Sequence, residues 1–335
     1  MIVESSASPV FVVGLPRSGS TLLSRLLNET EDIVCVNDLY FLQAVEACGG
    51  FVGNLSPDQV RTLAEVLLDV IATRSEANNA FIGQFFLGRA HREEILAAVT
   101  DIGASGVLTW SALMQFIMGR VAECLGKRRW ADKTPQNFLH VERLASAFPA
   151  ARFVFLMRDP RSVLLSFKHA SGEGHDRRRY HPLAYAFYWR MAVDRYNELR
   201  SAYGKAMLLL RYEDLTGQPI AACRILGDFL GTAIYAPPLD TLGHNSSFAT
   251  RRRSALTDTE TWICEKVCRT TMEQLGYATS AAQPRLRDIT ELIGLSIRFS
   301  MFQLRRTIGD RDGRKRIINV LRRFLRGQSP VSRPS

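Results

Sequence analysis

The stretch that most constrains the fold is PVFVVGLPRSGSTLLSRLLNET, residues 9–30. A run of β-forming residues ends at Gly14, a glycine-bounded loop reaches Gly19, and apolar residues then recur at helical spacing. Strand, loop and helix in that order open an α/β unit. The loop's N–H groups, at the positive end of the coming helix, form an anion cradle whatever the side chains are. The nucleotide-hydrolysing form G-x-x-x-x-G-K-[ST] has the same glycine separation, with Thr21 in its hydroxyl position, but Ser20 stands where the lysine belongs. The cation sits earlier, on Arg17. Such a loop holds a terminal phosphate group without a metal bridging a triphosphate.

The same alternation returns twice. ARFVFLMRDPRSVLLSF predicts a strand over about 152–157, with Asp159 and Pro160 as cap and first residue of a helix. AMLLLRYEDL and PIAACRILGDFLG read as a further buried strand and a helix closed by Gly231, with YHPLAYAFYWRMAVDRYNELRSA a long helix before them. DIVCVND supplies a second strand. Repeated units with strands this apolar predict a three-layer, P-loop-type α/β fold with a central parallel sheet covered on both faces. From about 49 to 125 the pattern turns helical, with Ser56 and Pro57 opening a helix that carries Val60, Leu63, Leu67, Val70 and Ile71. An insertion of this kind forms either one wall of a site or plain packing.

Charge separates body from tail. From Arg285 onward there are 13 Lys+Arg against four Asp+Glu, leaving 30 and 29 in the first 284 residues. The expected organisation is therefore a domain over 1–284 and a basic extension over 285–335. In that extension Ile317, Val320, Leu321, Phe324 and Leu325 fall on one helical face, with arginines and Lys315 on the others. A basic amphipathic helix of this type either docks on the body or a second subunit, or lies on an anionic membrane surface. Nucleic-acid binding is not expected, because no recognisable module or aromatic interleaving accompanies the charge. Six scattered cysteines make no disulfide framework, and Cys264 and Cys268, four apart, read as one helix face rather than a metal site. No stretch offers ~18 uncharged apolar residues for a membrane span. The expectation is a cytoplasmic protein, free or peripheral at a membrane.

Four motifs, GLPRSGSTLL, DKTP, ARFVFLMRDPRSVLLSF and RYEDL, occur in one order, with LGY at 275–277 closing the run. In this they resemble the PAPS-dependent sulfotransferases, whose donor is 3′-phosphoadenosine 5′-phosphosulfate. The resemblance implies transfer of a sulfuryl group to a hydroxyl of a carbohydrate, lipid or small-molecule acceptor by in-line displacement, with PAP as product and no metal. It implies that Arg17, Ser18, Gly19, Ser20 and Thr21 hold the phosphosulfate, and that Arg158 and Ser166 hold the 3′-phosphate. Lys133, in a proline-punctuated turn, would stabilise the leaving oxygen, with Arg17 assisting. Tyr212, at the end of a strand, and Arg253, in TRRRSAL, would lie near the nucleotide.

The acceptor must lose a proton as its oxygen attacks sulfur, so a base should lie within hydrogen-bond reach. Where many relatives carry Glu, VNDLYFL offers Asp38, one methylene shorter; Asp132 and His140 are the alternatives. Two other classes compete. A P-loop kinase of small metabolites needs a substitute for the missing lysine, and a non-catalytic membrane-surface protein would use the same fold without the chemistry.

Overall fold

The computed structural model describes residues 8–76, 87–103, 108–169, 180–236 and 255–309. The chain divides into two compact units, Met1–Asp159 with Trp189–Arg251, and Pro160–Tyr188 with Arg252–Ser335.

The first unit is built on a parallel sheet of β1 (Val10–Gly14), β2 (Ile33–Asn37), β3 (Arg129–Lys133), β4 (Arg152–Met157) and β5 (Met207–Arg211), in the spatial order β2-β3-β1-β4-β5. Every pairing is parallel, so all five carboxyl ends lie along one edge. The order reverses direction at β1. In open α/β sheets the crevice outside the strand ends at such a switch point is where ligands bind.

Side chains alternate across the sheet. Val10 and Val12 face a cluster with Leu23 and Leu27 of α1 (Ser20–Asn28), Leu215 of α9 (Tyr212–Gly217) and Leu226 of α10 (Pro219–Leu230). Phe11 faces the other way, stacked on Phe153 at 5.4 Å between ring centroids and edge-on to Trp130 at 5.6 Å. Phe148, which follows α6 (Val141–Ala147), and Trp110, which opens α5 (Trp110–Cys124), complete this aromatic layer. Phe155, on the same strand as Phe153, meets Tyr196 of α8 (Pro182–Tyr203). Helix, sheet and helix thus make three layers. Each fully buried Leu or Phe adds about 1.5–3 kcal/mol, so the sheet is the most strongly held part of the unit.

Two short elements sit near the site: α2 (Phe41–Ala47), and a 3-10 turn over Pro135–His140. The helical insertion comprises α3 (Pro57–Glu76), α4 (Arg89–Gly103) and α5. Ser56 and Gln59 cap α3 reciprocally, and Val60, Leu63, Leu67 and Ile71 are buried along it, as their spacing predicts.

The second unit contains α7 (Pro160–Lys168), the first residues of α8, α11 (Asp258–Gln274) and α12 (Leu286–Gly309). Thr257 and Glu260 form a capping box on α11, and Glu260 also accepts hydrogen bonds from Lys168 and Tyr180. Cys264 and Cys268 are buried on α11 in line with the one-face reading, and all six cysteines are free. Among the described residues, no helix is long and apolar enough to cross a membrane and no group of three metal-ligating side chains occurs. The basic helix expected within 310–335 lies outside the described residues.

Candidate active site

The loop after β1 is shaped by backbone conformations that favour glycine. Gly14 has φ +132° and Gly19 φ +94°, while Arg17 adopts φ +72° without being glycine. A Cβ on Gly14 would stand 2.5 Å from the Leu156 carbonyl oxygen, because Gly14 and Leu156 are paired in the β1–β4 ladder. Gly19 caps α1 with no side chain to bond the helix's first N–H groups. The N–H groups of Ser20 and Thr21 therefore have no intrahelical acceptor and point out of the helix start. Ser18 is fully buried, and its hydroxyl has no hydrogen-bond partner among the described residues. An orphan hydroxyl beside two outward N–H groups suits an oxyanion.

Arg158 directly follows β4 and meets this loop. Its Nη1 donates to the Arg17 carbonyl at 3.4 Å, and its guanidinium carbon lies 4.5 Å from the centre of the Tyr212 ring. Tyr212 in turn packs on the glycine turn: a Cβ on Gly19 would come within 2.1 Å of ring carbon Cδ2. The two segments that the sequence separates by 141 positions are thus joined across one aromatic ring. Trp189 Nε1 donates to the Arg158 carbonyl at 2.9 Å, and Glu213 accepts from Asp159 N–H at 2.9 Å, fixing the turn that carries the guanidinium. Trp189 lies in no quoted motif, and Glu213 lies in RYEDL without being singled out there; each acts on backbone, which leaves no residue signature.

On the other side of β1, β3 ends in Lys133, and Asn37 at the end of β2 is its neighbour in the ladder. Lys133 Nζ donates to Asp38 Oδ2 at 3.0 Å; the lysine side chain is 6% exposed and the aspartate 28%. A turn lysine is normally a solvated charge, but this one is the last residue of a buried strand, which corrects the sequence-based placement. Tyr212 is likewise not the end of a strand but the first residue of α9.

Asp132, the alternative base, is 1% exposed, and Thr134 Oγ1 and Asn137 Nδ2 donate to its two oxygens at 2.6 and 2.8 Å. Burial, reinforced by the charge of Asp38, pushes its carboxyl up to about 7. His140, the other alternative, is held below the usual imidazole range by burial and by Arg143. Ser166 belongs to the second unit, where it is buried on α7. Arg253 lies outside the described residues.

Residues 9–237 match the family described as the sulfotransferase family. The chain belongs to the sulfotransferase family. Two solved structures share the fold of this chain. The sulfotransferase domain from the Synechococcus PCC 7002 olefin synthase is 19% identical with a TM-score of 0.52, covering 82% of this chain and 96% of that one. The sulfotransferase domain from the curacin biosynthetic pathway is 17% identical with a TM-score of 0.50, covering 82% and 99%. Nodulation protein NoeE of Sinorhizobium fredii (strain NBRC 101917 / NGR234) is 30% identical over 162 residues, which are 48% of this chain and 31% of NoeE. The matched segment is thus under a third of NoeE's own length. The family that its four motifs resemble is thus the one the chain belongs to.

Proposed function

We propose that Arg17, Ser18, Gly19, Ser20 and Thr21 hold the phosphosulfate, Arg158 and Ser166 the 3′-phosphate, and that Tyr212 and Arg253 flank the nucleotide. The domain at work is 1–284, and no metal takes part. What carries this reading is the contact of Arg158 with the glycine loop through Arg17 and Tyr212. It places a fixed guanidinium beside the orphan Ser18 hydroxyl's loop, at the sheet's switch point, where a doubly phosphorylated adenosine needs cations at two places.

PAPS, when bound, supplies an electrophilic sulfur and a good leaving group. The chain's own residues do the rest. Asp38 accepts the acceptor's hydroxyl proton as the new O–S bond forms, using the oxygen that Lys133 does not occupy. Lys133 donates a hydrogen bond to the oxygen that keeps the electron pair of the breaking S–O bond. The ion pair couples these tasks: once Asp38 is protonated its grip on Lys133 weakens, and the ammonium turns to the developing charge. Preorganised cations in a buried setting do what a bridging metal does elsewhere.

The acceptor is a hydroxyl of a carbohydrate, lipid or small molecule, with the helical insertion as one wall of its site. The test is a thermal-shift assay in EDTA. PAP should raise Tm and ATP should not. Stabilisation by ATP that requires Mg²⁺ would favour the kinase reading instead. An acceptor screen with radiolabelled donor, repeated on a chain ending near Arg285, then separates acceptor choice from any part the basic extension plays.

A further inference from the structure

The turn that carries Asp38 is strained and unusually well anchored. Asp38 has φ +54° and Tyr40 φ +49°, two left-handed non-glycine residues on either side of a fully buried Leu39. Each such residue costs of order 1 kcal/mol, so the surroundings must impose the conformation. They do so through one short segment. Asp38 N–H donates to the Lys133 carbonyl at 2.8 Å, extending the β2–β3 ladder by one bond. The ladder stops there, since Pro135 has no N–H and restricts Thr134 to an extended backbone of φ −117°, ψ 95°. Leu39 N–H turns instead to the Thr134 hydroxyl at 3.0 Å.

That hydroxyl has a single proton. Its oxygen receives Leu39 N–H, so the proton goes to Asp132 Oδ1 at 2.6 Å, a distance typical of a charge-assisted bond. Asn137 holds the other carboxylate oxygen. Thr134 stands at the N-cap of the 3-10 turn yet makes no cap bond with its side chain, because its hydroxyl is committed elsewhere. A buried carboxylate is costly, and an apolar group of the same shape is often neutral or stabilising in its place. Here the cost falls at the head of a hydrogen-bond chain that runs through Thr134 to Leu39 N–H, next to the proposed base.

We infer that Asp132 and Thr134 are positioning residues for catalysis: the carboxylate fixes the threonine hydroxyl, and the hydroxyl fixes Leu39 N–H, so that the turn presents Asp38 beside Lys133. This rests on the reading of Asp38 as base. Neither residue touches the acceptor.

The test is Thr134→Val, which keeps the branched shape and removes the hydroxyl, alongside Thr134→Ser, Asp38→Asn and the Asp38→Asn/Thr134→Val double variant. With Thr134→Val, deuterium exchange in the peptide spanning 36–43 should rise about tenfold while the Tm shift given by PAP is unchanged. Turnover of PAPS, with the screened acceptor or with water, should fall at least tenfold in kcat at unchanged KM for PAPS, and Thr134→Ser should restore most of it. In the Asp38→Asn background, Thr134→Val should cost nothing more. If Thr134→Val does not fold, Asp132→Asn takes its place, with a three- to tenfold loss in kcat expected. Wild-type kcat in the positioning variants, loss of PAP binding in step with kcat, or full additivity in the double variant overturns the inference. Wild-type kcat in Asp38→Asn overturns instead the base assignment beneath it.

Discussion

Replacing Asp132 by Asn should make the protein more stable at alkaline pH while slowing it. The carboxyl titrates at about 7 in the native state against 3.8 ordinarily, chiefly because it is buried. The direction is the reverse of the usual salt-bridged Asp. Below pH ~4 the group is protonated in native and unfolded chains alike and costs nothing. As pH rises to 7 the unfolded chain ionises first, the native state holds its proton, and stability falls. Above 7 the whole penalty is present, roughly 4 kcal/mol for about three pKa units at ~1.4 kcal/mol each.

Asparagine carries no such penalty. Its new amide N–H₂ would face that of Asn137, but the Asn137 side chain can turn over, since its Oδ1 is buried without a partner among the described residues. The rearrangement satisfies the Asn137 oxygen but leaves two further N–H groups unsatisfied, one on each asparagine, a net cost of about 1–3 kcal/mol at every pH. Urea unfolding of both proteins at pH 5 and pH 8 isolates the titration, because every other difference cancels. The stability difference should move in favour of the variant by about 2–3 kcal/mol between these two pH values. An equal difference at both would refute the reasoning, since it would mean that Asp132 ionises alike in the folded and unfolded chains.

Gly14→Ala should destabilise by at least about 2 kcal/mol and weaken PAP binding, because φ is +132° and the added carbon meets backbone of β4, which cannot step aside; the urea midpoint and PAP titration check it. Arg158→Lys keeps the charge but loses the planar stack on Tyr212 and the fixed fork, so calorimetry with PAP should show affinity lowered about tenfold or more, with stability nearly unchanged.

How much of this was legible in the sequence depends on where the side chains act. The β1 loop, Arg158 and the following helix were readable, because a glycine-bounded loop and an Arg at a strand end are local patterns. β3 was not: RWADK carries three charged residues in five, and nothing in that composition says all five are buried. Its Asp and Lys are inside because they serve the sheet edge, where function overrides the hydrophobic pattern that betrays a strand. The same override hid the Asp38 turn. Left-handed backbone at Asp38 and Tyr40 has no glycine to announce it, and the hydroxyl that imposes it stands 95 residues from Leu39.

The Tyr212 ring touches the glycine turn with one edge and the Arg158 guanidinium with its face. One side chain therefore sets the spacing between the grips for the two ends of the donor. Grafting a relative's β1 loop into this protein without its α9 would leave a gap or a clash between those grips, so the loop, the arginine and the tyrosine have to be exchanged, and would have to evolve, as a single part.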